Sequence, residues 1–214
     1  DSEKAKVIET LGEPLKIKAI EILANDKYKA EIISTISDEN VRYNLLNQIT
    51  DDYYKEEVIH TFTSEELKLE GIKLIQADSN KEKVLSTFKD VNLIIKGFAF
   101  ITNEHYKVNV INKLSNETDK LNLVNYINDE YQRNRVIETI TDDKLKVSAL
   151  SLLTRDNYKV KIISTVSDEN IRYSLLNQIS DDSYKYAIIE TLGENLKIKA
   201  IEILKSDSFK SNII

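Results

Sequence analysis

The stretch Ser37-Asp38-Glu39-Asn40-Val41-Arg42-Tyr43-Asn44-Leu45-Leu46-Asn47-Gln48-Ile49, continued by Thr50-Asp51-Asp52-Tyr53-Tyr54-Lys55-Glu56-Glu57-Val58-Ile59-His60-Thr61-Phe62, decides the fold. Both segments are 13 residues long, open on a hydroxyl and acids, carry a base at the sixth position and close on an apolar residue. Aligned on that closing residue, the pattern covers the chain, with units ending at Leu11, Leu23, Ile36, Ile49, Phe62, Ile75, Phe88, Ile101, Leu114, Ile127, Ile140, Leu153, Val166, Ile179, Leu192 and Leu204. A short internal period marks a repeat array, which grows by addition and needs no single closed core. Residues 1–214 therefore read as one helical-repeat domain.

Within a unit, positions 5, 9, 10 and 13 are apolar, a spacing that falls on one face of a helix. The opening hydroxyl and acids offer acceptors to the free N–H groups of a helix start and place negative charge at its positive end. A helix of about ten residues is about 15 Å long and marginal alone, so stacking must supply its stability. Turns of two or three residues make consecutive helices antiparallel.

Every second unit is alike, which gives 26-residue hairpins of two helix classes. In the first class the fifth position is Tyr28, Tyr54, Tyr106, Tyr158, Tyr184 or Phe209, and the twelfth is mostly Thr. In the second class the fifth position is aliphatic, as at Leu15, Val41, Leu67 and Leu93, and the seventh and twelfth are often apolar too. That wider apolar surface predicts that the second class forms the more enclosed layer. Two units are one residue short and begin Gly12-Glu13-Pro14 and Gly193-Glu194-Asn195. Their glycines suggest left-handed helix ends, and Pro14 suits a first helical turn. The fold class is all-α: an α-solenoid, taken as the usual right-handed superhelix, of about eight short antiparallel hairpins.

Composition narrows the function. The chain is 41% hydrophobic and 31% charged, the balance of a folded, water-soluble protein, and its net charge of −6 weighs against general affinity for a nucleic-acid backbone. With no cysteine there is neither a disulfide framework nor a thiolate metal site, and the cytosol is the default compartment. No apolar run is long enough to span a membrane. The lack of any methionine and the short last unit from Lys205 to Ile214 suggest a piece of a longer array.

The sixth position is Lys or Arg in sixteen of seventeen units, usually with an acid three residues earlier, as in Asp26 with Lys29 and Glu39 with Arg42. Such a column is either a cationic ladder for an anionic partner or a set of helix-surface ion pairs, and the recurring acid favours the second. The tyrosine column likewise reads as packing with its hydroxyls left wet. The middle of the array breaks these patterns. Asn80 and Gln132 replace the column tyrosine, Asp119 replaces the column aliphatic, and Ile94 is the one non-basic sixth residue, in an apolar run that includes Phe98 and Phe100. These six residues are the candidate partner-binding positions, with a more deeply buried helix as the alternative. Gly71 and Gly97 stand where equivalent helices carry Ala19, Ala149 and Ala200, which points to close helix approach.

Catalytic chemistry has little to draw on. His60 and His105 lie at different unit positions, and the carboxylates recur in every unit rather than forming one singular cluster. No cofactor or metal is expected.

The amphipathic hairpins with short turns resemble α-solenoids of the HEAT and armadillo type over the whole chain. Their 26 residues are fewer than the about 34 of a tetratricopeptide repeat or the about 40 of a HEAT repeat. No tetratricopeptide Trp-Leu-Gly signature, ankyrin Thr-Pro-Leu-His or HEAT proline is present, and the resemblance assigns no site residue. It implies a non-enzymatic scaffold that binds a protein along an extended surface. The alternatives are a structural spacer and, against the acidic charge, a nucleic-acid reader.

Overall fold

The structure, a computed structural model, describes residues 1–213. Each unit forms one short helix: α1 (Ser2–Glu9), α2 (Glu13–Ala19), α3 (Asp26–Ser34), α4 (Glu39–Leu45), α5 (Asp52–His60), α6 (Glu65–Ile72), α7 (Asp78–Leu85), α8 (Val91–Phe98), α9 (Glu104–Asn112), α10 (Glu117–Val124), α11 (Glu130–Ile137), α12 (Asp143–Ala149), α13 (Asp156–Ser164), α14 (Glu169–Ser174), α15 (Asp182–Ile189), α16 (Glu194–Ala200) and α17 (Asp207–Ser211). No strand occurs among the described residues.

The residue before each helix sets its start. Asp38, Asp51, Ser64, Asp90 and Asn116 are extended and accept a hydrogen bond from an N–H two or three residues on, replacing a partner the first turn lacks. The end is set by the closing apolar residue. In α4 the helix tightens into the 3-10 turn Leu46–Gln48, and Ile49 then turns extended, with φ −99° and ψ 131°. Its N–H still donates to the Leu46 carbonyl at 3.1 Å, and its side chain is buried. One side chain thus anchors each reversal of the chain in the core.

These reversals need no left-handed backbone, because no described residue, glycine included, has positive φ. The expectation for Gly12 and Gly193 is therefore corrected. Both are extended helix caps, at φ −67°, ψ 152° and φ −71°, ψ 158°. Gly193 instead makes room: a Cβ there would stand 3.0 Å from a Glu169 carboxylate oxygen that accepts the Gly193 N–H. Nothing in the structure explains Gly12. Pro14 does lie in the first turn of α2.

The chain forms two compact units, Asp1–Val110 and the residues from Ile111 onward, divided within α9. In the first, the odd-numbered helices α1, α3, α5 and α7 pack in sequence, as do the even-numbered α4, α6 and α8. Hairpin partners such as α1 and α2, α3 and α4, and α5 and α6 join the two layers. In the second, α11, α13, α15 and α17 form one layer, and α10 packs on α12 and α14 on α16 in the other. Each unit is thus an all-α repeat stack of antiparallel hairpins, with a core of side chains such as Val58, Ile59, Ile72, Leu85 and Ile94 in the first and Leu123, Val136, Ile137 and Ile163 in the second, all fully buried.

The wider apolar face of the second class does not make it the more enclosed layer. Positions 9, 10 and 13 fill the core in both classes, while the additional apolar residues of the even helices, including Val41, Leu67, Ile95, Leu121 and Val147, are only half-buried. Leu15, Ile22 and Ile198 are exposed.

Gly71 and Gly97 mark the closest helix contacts. A Cβ on Gly71 would stand 2.8 Å from Ile59 Cγ1, and one on Gly97 would overlap the Leu85 methyls, both partners being fully buried. Gly97→Ala raises helix propensity by about 1 kcal/mol, but overpacking a core costs about 1–3 kcal/mol. The variant is expected to unfold at a lower temperature than the parent. In a double-mutant cycle followed by urea unfolding, Leu85→Ala should cost less on the Gly97→Ala background than on the parent; additive costs would sink this account.

Candidate interaction surface

The third residue of a unit reaches two units forward. The Asp26 carboxylate accepts from the Thr50 N–H at 2.8 Å, the Asp51 N–H at 2.8 Å and the Thr50 hydroxyl at 2.5 Å. Glu39 does the same for Thr63 and Ser64, Asp78 for Thr102 and Asn103, Glu117 for Thr141 and Asp142, and Glu130 for Thr154 and Arg155. Each carboxylate binds the backbone just ahead of the next helix in its own layer. The hydroxyl that opens a unit serves as a donor to this carboxylate, whereas the own-helix cap is the residue that follows it.

The sixth-position base completes the link. It lies beside the acid, as in Lys29–Asp26 at 3.4 Å and Lys81–Asp78 at 3.2 Å, so the ion-pair reading of the column holds. It also donates to the end of the next helix: Lys29 to the Gln48 carbonyl at 2.7 Å, Lys55 to that of Leu74 at 3.0 Å and Arg42 to that of Thr61 at 3.1 Å. A cation there meets free carbonyls and the negative end of the helix dipole. Lys16 and Lys68 reach the hydroxyls of Thr35 and Thr87, while the interaction shared along the threonine column is a hydroxyl donated to the carbonyl three residues back.

The same sixteen units that carry the base carry the acid, and the exception has Val91 and Ile94 in the two places. Ile94 is fully buried and Phe98 is 3% exposed, so both belong to the core. Asn80 is half-buried and donates to Glu56 at 2.6 Å. That carboxylate is itself buried, with Lys83 at 3.1 Å and His60 at 3.5 Å, and Asn80 supplies a donor where the column tyrosine would have placed a ring. In the second unit Gln132 accepts from Arg135 at 2.9 Å, and half-buried Asp119 donates its N–H to Asn116 at 3.2 Å. Of the six candidates, Phe100 lines a groove between two even helices.

That groove, of about 480 Å³, runs between α6 and α8. Leu69 and Leu93 form its floor, and Glu66, Glu70 and Lys73 stand along one wall. Lys96, Ala99 and half-buried Phe100 form the other, with the Lys73 ammonium 5.6 Å from the Phe100 ring centre. It arises where apolar residues of two even helices meet. Sequence reasoning singled out Phe100 but missed Leu69, Leu93 and the charged walls, because their columns look like ordinary amphipathic helix.

Among the described residues, no group of three or more His, Asp or Glu side chains could hold a metal ion, and no helix is long and apolar enough to cross a membrane. No protein-family model, curated protein or solved structure matches the chain.

The carboxylate links carry a pH signature. Burial pushes the Asp78 carboxyl up, but the Thr102 hydroxyl, the Asn103 N–H, Lys81 and the Thr102 N–H outweigh it and hold the group below 3.8. Asp26, Glu39 and Glu130 follow the same balance, and Glu117, held first by the Asp142 N–H, also lies below its ordinary value. Their contribution to stability is whole above the ordinary values of 3.8 for Asp and 4.5 for Glu, and is lost as pH falls through the lower folded values. Asp78→Ala hands two exposed N–H groups back to water and is expected to cost about 1 kcal/mol, with Asp78→Asn costing less because an acceptor remains. Urea midpoints measured from about pH 7 to about pH 3 should fall less steeply in acid for Asp78→Ala than for the parent.

Proposed function

We propose that the chain is a non-catalytic scaffold that binds a protein partner along the even-helix face. The observation that carries this reading is the groove between α6 and α8, an apolar floor with charged walls on a surface whose other recurrent polar groups are already engaged. The acids and bases that recur through the chain are committed to helix-to-helix links, a structural use that supports a non-catalytic reading. HEAT-like use of an extended face belongs to the same reading, with the cytosol as the default compartment.

Affinity capture from a lysate of the source cell, with and without nuclease, tests it against Ala99→Glu, a substitution at an exposed groove position. The expected result is a nuclease-resistant protein partner that is lost in the variant while its circular dichroism and unfolding midpoint match the parent. Capture that disappears with nuclease would favour a nucleic-acid reader, and no capture by either protein would favour a spacer.

A further inference from the structure

We infer that the α6–α8 groove takes an amphipathic helix lying antiparallel to α6 and α8, with its basic C-terminal turn at Glu66 and its acidic N-terminal turn at Lys96. The inference rests on the scaffold reading and names the partner's chemistry.

Since α7 runs back between them, α6 and α8 point the same way, and the groove follows their axes. From Glu66 to Lys73 it spans about two helical turns, roughly 10 Å. Its apolar surface of Leu69, Leu93 and Phe100 suits side chains spaced i, i+3 or i+4 on one helical face. An extended peptide would lay unpaired backbone N–H groups against that surface, whereas a helix satisfies its own.

Charge sets the direction. Glu70 and Lys73 are engaged with each other, at 2.5 and 2.6 Å, and Lys73 also covers the Phe100 ring. Glu66, near the start of α6, accepts only the Ser64 hydroxyl at 3.0 Å. Lys96, about a turn further along the groove, is exposed, and its ammonium has no hydrogen bond or ion pair among the described residues. The free acid thus lies toward the helix N-termini and the free base toward the C-termini. A helix favours acids in its first turn and bases in its last, so its termini match these charges in the antiparallel orientation alone. In that orientation its dipole also opposes those of α6 and α8.

The test uses two synthetic peptides of about eight residues, the length of the two-turn groove, each held helical by an i,i+4 side-chain staple and sharing one Leu/Phe face. The first has Glu in its first turn and Lys in its last; the second has these exchanged. Fluorescence anisotropy should show the first binding the full chain about tenfold more tightly, a difference of about 1.4 kcal/mol. The Glu66→Lys/Lys96→Glu chain, altered at exposed positions and checked for native unfolding, should reverse the order; Lys96→Glu alone should narrow it. Equal binding of both peptides, or an order unchanged by these substitutions, overturns the inference. If the peptides tie while a captured protein is still lost with Ala99→Glu, the scaffold reading stands and the helix assignment falls. If neither peptide binds and nothing is captured, both fall.

Discussion

Everything in this protein depends on a carboxylate that serves a helix other than its own. A ten-residue helix cannot hold itself together in water, and neighbouring helices of nearly identical sequence could slide past one another with little loss of apolar contact. The third-position acid removes that freedom. By accepting two adjacent N–H groups ahead of the next helix in its layer, it fixes register along the stack to within a hydrogen-bond length. The base beside it ties the same helix to its hairpin partner, so one acid–base pair connects three consecutive helices. Exposed ion pairs contribute little by themselves, but a carboxylate whose lone pairs are taken by backbone N–H groups is a directional joint.

The joint also explains how so polar a chain forms stacked helices within each unit. Most of its recurring charge is structural, and what remains for recognition is the irregular part. Glu56 and Asn80 illustrate one irregularity: a buried acid at one level is matched by an amide in place of tyrosine at the next. The α6–α8 groove is another, where Leu69, Leu93 and Phe100 lie between charged side chains.

Much of this was legible from the residues. The 13-residue period, the two helix classes and the close approach at Gly71 and Gly97 follow from spacing, because helical periodicity converts directly into faces. The ion pairs were readable as i,i+3 neighbours. The forward links were not, since a carboxylate near a helix start looks like a cap for its own helix, and only the second residue of the unit plays that part. A trace was present in the joint loss of acid and base at Val91 and Ile94, which ties the two columns together. The apolar run was read as a possible surface, yet Ile94 and Phe98 face the core; composition marks a hydrophobic helix without saying which of its sides are covered. Leu69 and Leu93 escaped notice because a groove is a property of two helices 26 residues apart.

The two-unit reach of the acid has an evolutionary corollary. Adding or removing one 13-residue unit would put a helix of the wrong class into each layer and misdirect the carboxylates whose two-unit reach crosses the junction, whereas a 26-residue block leaves each donor and acceptor matched. Length can therefore change only in even steps. The near-copies Tyr28 to Lys55 and Tyr158 to Lys185 are offset by 130 residues, a whole number of hairpins, as that rule requires. Since no turn calls for a left-handed residue, a breakpoint in any turn is as good as another, and such a gene can lengthen or shorten by recombination without a specialised junction.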